Sequence, residues 1–236
     1  MSTITLIRHG QANSSARDEE GYDRLSDLGH QQARWLGEHF RAVEEPVMRV
    51  YSGTLRRHRE TAAGMALGLP VVEDARLNEM SYFGMAEIAE RVHGLKHPGD
   101  REEFARHMPK LFKLWQEDAL PAAPEGFDAF EARVAAAMAE IAQGAGPAVV
   151  VTSGGLIGMV MRQVMGLSIE TMAHACLAIM NTSVHQLHPV AGQPILVQFN
   201  AVPHLDVPER RFARTHLCPP FGRLRRGVVS AMNDRR

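Results

Sequence analysis

Three short apolar segments of this chain each end at a polar corner, and this pattern constrains the fold most strongly. The segments are "TITLIR" at 3–8, "VMRVYSG" at 47–53 and "PAVVVT" at 147–152. Each one is followed by a stretch in which apolar residues recur at helical spacing. Strands that alternate with helices favour a sheet covered on both faces, so we predict an α/β fold.

The remaining segments complete the predicted architecture, a three-layer α/β/α sandwich with a central mixed, mostly parallel sheet. We predict two consecutive strands in "CLAIMNTSVHQL" at 176–187 and "PILVQFN" at 194–200, which would form an antiparallel pair. Residues from about 84 to 126 are polar and helical but broken by proline and glycine, so we predict a helical cap insertion. We assign 1–205 to a single domain and 206–236 to a basic C-terminal extension, either partly ordered or a binding arm.

The composition argues against several classes of protein. Apolar residues make up 45% of the chain and the net charge is −1, which allows a sizeable core and gives no sign of nucleic-acid binding. The two cysteines, Cys176 and Cys218, form no disulfide or metal-ligand pattern, and we expect Cys176 to be a small buried side chain. No apolar run approaches transmembrane length. We therefore expect a cytoplasmic protein without a nucleic-acid or membrane partner.

The polar corners carry side chains suited to binding and transferring a phosphoryl group. Ligands of open α/β sheets bind beyond the carboxyl ends of the strands. Arg8 and His9 follow the first strand, Arg57 lies in the helix after the second, and residues 152–155 follow the third. Imidazole is a nucleophile that is largely neutral near pH 7, and a guanidinium can hold two phosphate oxygens. Neither a G-x-S-x-G motif nor a catalytic triad is evident, which disfavours acyl transfer.

Taken in order along the chain, these segments resemble the histidine phosphatase superfamily, also called phosphoglycerate-mutase-like proteins. The motifs are "LIRHGQAN", "LSDLGHQQARWLG", "VYSGTLRRHRETAAGMA", "LNE" and "VVVTSGG", within residues 3 to about 205. The resemblance implies a phosphatase without metal or cofactor that hydrolyses a phosphoric monoester through a phosphohistidine. Its partner would be a small phosphorylated substrate, and an exposed C-terminal strand or tail could mediate a homodimer.

The resemblance also implies roles for individual residues. His9 would be the nucleophile, and Glu79 would protonate the leaving oxygen. The phosphate-binding residues would be Arg8, Arg57, Ser153, Gly154, Gln11, Asn13 and Asn181. Gln11 and Asn13 could instead only complete the turn after the nucleophile.

Ser153 occupies the position where the family pattern has a second histidine. Serine keeps one hydrogen-bond donor but loses the charge, and the loss of a charge-assisted hydrogen bond would slow catalysis about 10- to 150-fold. Three explanations stay open. Ser153 and the following amides form a neutral phosphate-binding nest, a basic group from elsewhere replaces the charge, or the chain is a weak pseudo-phosphatase that binds a phosphorylated ligand. Candidates for the basic group are His58, His185, His93, Lys96, His97 and Arg101. A phosphoglycerate-type mutase is the alternative enzyme.

Overall fold

The computed structural model describes residues 2–13, 16 and 18–215. Its strands are β1 (Ile4–Arg8), β2 (Arg49–Ser52), β3 (Val71–Glu73), β4 (Ala148–Thr152), β5 (Val184–Val190) and β6 (Gln193–Ala201). Its α-helices are α1 (Glu19–Tyr22), α2 (Asp27–Ala42), α3 (Arg56–Met65), α4 (Tyr82–His93), α5 (Arg101–Gln116), α6 (Phe127–Gln143), α7 (Gly154–Met165) and α8 (Ile169–Ala178). Cys218 and the predicted extension beyond residue 215 lie outside the described residues. Across the described ranges, no helix has both the length and the apolar character needed to cross a bilayer.

The six strands form one mixed sheet in the order β3-β2-β4-β1-β5-β6. Strands β1 to β4 run parallel, whereas β5 is antiparallel to both β1 and β6. The predicted mostly parallel sheet with an antiparallel pair is therefore confirmed. Because Arg8 at the end of β1 pairs with Thr152 at the end of β4, the first and third polar corners lie side by side.

Alternate residues of the central strands pack into two separate cores. Leu6 and Val150 belong to a core that includes buried side chains of α4 to α8. Ile7 and Val151 belong to a core with α2 and α3. Successive side chains of a strand point to opposite faces, so the two cores lie on opposite sides of the sheet. The predicted three-layer α/β/α arrangement follows from this packing.

The strand predicted at 176–187 is wrong over its first part. Cys176 and Ala178 lie in the last turn of α8, and β5 begins only at Val184. The buried residues of α8 include Met172 and Cys176, which are four positions apart, as expected for one face of a helix. A short apolar run considered alone does not distinguish a strand from a buried helix, and the helical spacing becomes visible only upstream.

The segment predicted as a cap contains two helices, α4 and α5, that pack directly onto the core. Met85 of α4 and Phe112 and Trp115 of α5 share a buried cluster with Leu6 and Val150 of the sheet. This packing brings the first turn of α4 and one face of α5 to the same end of the sheet as the polar corners. The assignment of these helices to an insertion within a single domain stays a prediction.

Candidate active site

A cavity opens where the polar corners after β1 and β4 meet. Its polar end is lined by Arg8, His9, Arg57, Glu79, Gly154 and Gly155. The fold therefore brings together the residues predicted as nucleophile, proton donor and phosphate-binding arginines. The start of α7 also contributes backbone N–H groups, which favour an anion at a helix N-terminus.

His9 is a buried, neutral imidazole whose Nε2 is available for attack. Its Nδ1 lies 2.7 Å from the carbonyl oxygen of Gly10. A carbonyl oxygen only accepts a hydrogen bond, so Nδ1 carries the proton and the lone pair is on Nε2. Burial is the largest factor that lowers the pKa of His9 well below its ordinary value, and the charges of Arg57 and Arg8 lower it further. The ring therefore stays neutral near pH 7, with its single proton on Nδ1.

Both arginines of the polar end are buried, and their environments differ. The Nη1 of Arg57 donates to Asp23 Oδ1 at 3.0 Å, and its guanidinium lies 5.1 Å from the centre of the Tyr22 ring. Arg8 donates to the carbonyl oxygen of Ile179, but no ion pair between described residues includes it. The Nε atoms of both arginines are buried without a hydrogen-bond partner in the described structure. A buried cation without a paired carboxylate is costly, which makes this end complementary to an anion.

Glu79 is a partly buried carboxyl beside the start of α7. Its Oε2 accepts a hydrogen bond from the N–H of Gly155 at 2.9 Å. A Cβ at position 155 would lie 2.4 Å from Glu79 Oε1, so a larger residue there would displace the carboxyl from this position. Loss of solvent around the carboxyl raises the pKa of Glu79, while the Gly155 hydrogen bond and the nearby Arg57 oppose this shift. The raised pKa increases the fraction of Glu79 that holds a proton to donate.

Ser153 contacts His58, one of the candidates for a replacement basic group, but this histidine is neutral. The Oγ of Ser153 lies 2.6 Å from Nε2 of His58, and both side chains are buried. The Ser153 side chain makes no capping hydrogen bond to α7. The rings of His58 and His9 have their centres 5.7 Å apart. Burial lowers the pKa of His58 well below its ordinary value, so His58 supplies hydrogen bonding and not a permanent charge.

The other candidates for a replacement basic group lie elsewhere. His185 faces Ser183, with Nε2 at 2.9 Å from the serine Oγ, and it does not line the cavity formed by the described residues. The same holds for His93, Lys96, His97 and Arg101 of the predicted cap.

Four predicted phosphate ligands do not line the cavity of the described structure. Ser153 lies directly before the lining residue Gly154, whereas the side-chain amides of the other three hydrogen-bond to the surrounding loops. Asn181 donates to the carbonyl oxygen of His9 at 3.1 Å. Asn13 donates to the carbonyl oxygen of Gly21 at 2.9 Å, and Gln11 accepts from the hydroxyl that caps α2. The alternative interpretation of Gln11 and Asn13, completion of the turn, matches these contacts.

Sequence reasoning missed the second half of the cavity, which we call the apolar wall. It consists of Glu19, Tyr22, Met80, Tyr82, Phe83, Phe104, Met108, Phe112 and Cys176. Phe104, Met108 and Phe112 are spaced four residues apart on α5, a pattern that places them on one face of the helix. That spacing was the available signal, but nothing in the sequence showed that this face lines a cavity. Cys176 is buried as expected, and burial raises the pKa of its thiol.

Comparison with known proteins identifies the family of the chain. A sequence model described as the histidine phosphatase superfamily (branch 1) matches residues 4–202. No curated protein matches the chain.

Several solved structures have the same fold. A variant of phosphoserine phosphatase from Entamoeba histolytica, bound to phosphoserine, is 20% identical with a TM-score of 0.65, covering 87% of this chain and 100% of its own. The α-ribazole phosphatase from Shigella flexneri is 20% identical with a TM-score of 0.62, covering 85% and 96%. A mycobacterial glucosyl-3-phosphoglycerate phosphatase is 24% identical with a TM-score of 0.60, covering 85% and 99%.

Proposed function

We propose that this chain, which belongs to branch 1 of the histidine phosphatase superfamily, hydrolyses a phosphoric monoester through a phosphohistidine at His9. The observation that carries the proposal is the polar end of the cavity. There, an imidazole with an unprotonated Nε2 lies beside Arg8, a buried cation without a carboxylate partner among the described residues. A dianionic phosphoryl group would supply the missing negative charge.

In the first step, Nε2 of His9 attacks phosphorus as the bond from phosphorus to the substrate's alcohol oxygen breaks. The transition state spreads negative charge over three equatorial oxygens. Arg8, Arg57 and the N-terminal end of α7 offer fixed donors for that charge. Glu79 in its protonated form gives its proton to the departing alkoxide, so the product leaves as a neutral alcohol.

In the second step, water attacks the phosphorus of phosphohistidine, and the bond to Nε2 breaks. Glu79, now a carboxylate, takes a proton from this water, which returns the acid to its starting form. Inorganic phosphate leaves, and His9 recovers the lone pair on Nε2. Throughout both steps, the hydrogen bond from Nδ1 to Gly10 keeps the ring in the required tautomer and orientation.

We assign Ser153 and His58 jointly to phosphate binding. Nδ1 of His58 is buried without a partner in the described structure. A bare lone pair there is less costly than an orphaned N–H, so the proton belongs on Nε2, which donates to Ser153 Oγ. The serine hydroxyl then keeps its own hydrogen for a phosphoryl oxygen. This arrangement supports a neutral Ser153 over a replaced charge, with the Gly155 N–H of the predicted nest already donated to Glu79.

The proteins with similar structures support a small phosphorylated substrate. The phosphoserine phosphatase from Entamoeba histolytica has been crystallised with phosphoserine and also with 3-phosphoglyceric acid. The other similar structures described above are also named as phosphatases.

The test is release of phosphate from 4-nitrophenyl phosphate in the presence of a metal chelator. We expect turnover by the native chain and none above background by His9→Ala. His204→Gln is the control, because His204 is also a buried histidine but does not line the cavity formed by the described residues. Binding without turnover across a broad panel of phosphate esters would contradict the proposal in favour of a pseudo-phosphatase. Transfer of phosphate between positions of phosphoglycerate would contradict it in favour of a mutase.

A further inference from the structure

The apolar wall is built almost entirely of aromatic and sulfur-containing side chains, in contacts that fix its shape. The rings of Tyr82 and Phe104 have their centres 5.4 Å apart. Those of Tyr22 and Phe83 are 6.3 Å apart in an edge-on arrangement. Tyr22 also lies edge-on to His9, at 6.3 Å between ring centres, so the wall begins directly beside the proposed nucleophile.

Two polar side chains of the wall, Tyr82 and Glu19, form hydrogen bonds within the protein. The hydroxyl of Tyr82 is 3.3 Å from Nδ1 of His107. Burial lowers the pKa of His107 to about 4, so this histidine is neutral near pH 7. The Oε1 of Glu19 accepts from the N–H of Phe83 and the hydroxyl of Ser81, each at 3.3 Å, at the start of α4.

The charge of the wall disfavours an anionic group on the substrate. Among the described residues of the wall, the charged side chain is Glu19, an anion. The cations of the described cavity, Arg8 and Arg57, both lie at the polar end, where the phosphoryl group is proposed to bind. A carboxylate against the wall would therefore lose its hydration without gaining a described cationic partner.

We infer that the substrate is the phosphate monoester of an alcohol whose body is aromatic or bulky alkyl and carries no carboxylate. A ring placed against these aromatic side chains gains both burial of apolar area and ring–ring contact. The inference rests on the proposed function, because it takes the polar end as the phosphoryl site. It separates this chain from the similar phosphatase that has been crystallised with phosphoserine and 3-phosphoglyceric acid.

The experiment compares esters of primary alcohols, since these have similar intrinsic leaving ability. We expect kcat/KM for benzyl phosphate to exceed that for phosphoserine and for phosphoglycolate by about 10- to 100-fold. Equal values, or a preference for either carboxylate ester, would overturn the inference while leaving the phosphatase proposal intact. If no ester is hydrolysed, the proposed function fails. The inference is then decided by calorimetry of benzylphosphonate against phosphonoacetate, with tighter binding of the former expected and the reverse order contradicting it.

Variants of the apolar wall test whether its residues produce the preference for benzyl phosphate. Phe83 and Met108 are half-buried, so both tolerate substitution better than the buried Phe104 and Phe112. Phe83→Ala should reduce the preference for benzyl phosphate at least threefold, and Met108→Arg should shift it towards phosphoserine. Inorganic phosphate has no body to contact the wall, so in Phe83→Ala its inhibition should change less than the ester preference does. Phe199→Ala removes a comparable exposed ring on β6 and should leave the preference unaltered. If the preference for benzyl phosphate is unchanged in both wall variants, the assignment of the apolar wall to substrate binding is wrong.

Discussion

The polar end and the apolar wall share one cavity, but different parts of the fold hold them. The polar end depends on backbone that the sheet fixes, since Arg8 is paired with Thr152 across β1 and β4. Most side chains of the wall lie on α1, α4 and α5, whose positions follow from helix packing, and Met80 and Cys176 complete it. From this difference between the two regions we infer that residues near the strand ends carry out the proposed reaction, whereas the helices of the apolar wall determine substrate specificity.

The largest expected effect on kcat/KM comes from removing a charge at the polar end. Arg8→Met should lower kcat/KM about 100- to 1,000-fold for every ester, because a donor for transition-state charge is lost. The free energy of unfolding should fall by no more than about 1 kcal/mol, since the substitution also removes an unpaired buried cation. Steady-state kinetics and urea unfolding measure the two quantities. An activity loss below tenfold, or a large loss of stability, would contradict the proposed anion site.

The second prediction concerns the acid. Glu79→Gln should lower kcat/KM for benzyl phosphate about 100-fold, because its alkoxide must be protonated, and by less than tenfold for 4-nitrophenyl phosphate, whose leaving group is stable as an anion. In the native chain, kcat/KM for benzyl phosphate should fall as pH rises through the raised pKa of Glu79, because the proton is lost. The pH–rate profile of Glu79→Gln should lack this alkaline fall. If the variant shows the same fall at alkaline pH, the fall belongs to another titrating group and the assignment to Glu79 is wrong.

A smaller effect should separate two buried serine–histidine pairs. Ser153→Ala should weaken inhibition by inorganic phosphate about tenfold, the cost of one hydrogen bond to a charged group. Ser183→Ala is the matched control, because Ser183 bonds His185 in the same way, whereas only Ser153 is followed directly by residues that line the described cavity, Gly154 and Gly155. His58→Gln, which keeps an N–H donor, should retain more phosphate affinity than His58→Ala. Equal effects of Ser153→Ala and Ser183→Ala would make the Ser153 pair merely structural.

The sequence predicted the polar end far better than the wall. Arg8, His9 and Arg57 lie near strand ends, and strand ends meet at one edge of a parallel sheet whatever the details of packing. The role of Asn181 was harder to predict, because a buried side-chain amide can donate to a backbone carbonyl as readily as to a phosphate oxygen. Here it donates to the carbonyl oxygen of His9. His58 was one of six candidates for a replacement basic group, and its hydrogen bond with Ser153 was not predicted, since it depends on how close α3 comes to the end of β4.

The wall was not predicted because helix packing decides which faces of α4 and α5 line a cavity. Phe104, Met108 and Phe112 have the spacing of an ordinary core stripe, and Phe112 does belong to the core as well as to the cavity. The same ambiguity explains the error at Cys176, where an apolar run proved to be the end of a helix.

The most direct test of the account is to trap the phosphorylated enzyme. The native chain is mixed with 4-nitrophenyl phosphate and quenched in alkaline denaturant, which preserves phosphohistidine, and the modified residue is located by peptide mass spectrometry. The account predicts one acid-labile phosphoryl group on His9, absent from His9→Ala and longer-lived in Glu79→Gln. Steady turnover without an adduct on His9, or an acid-stable adduct on Ser153, would contradict it.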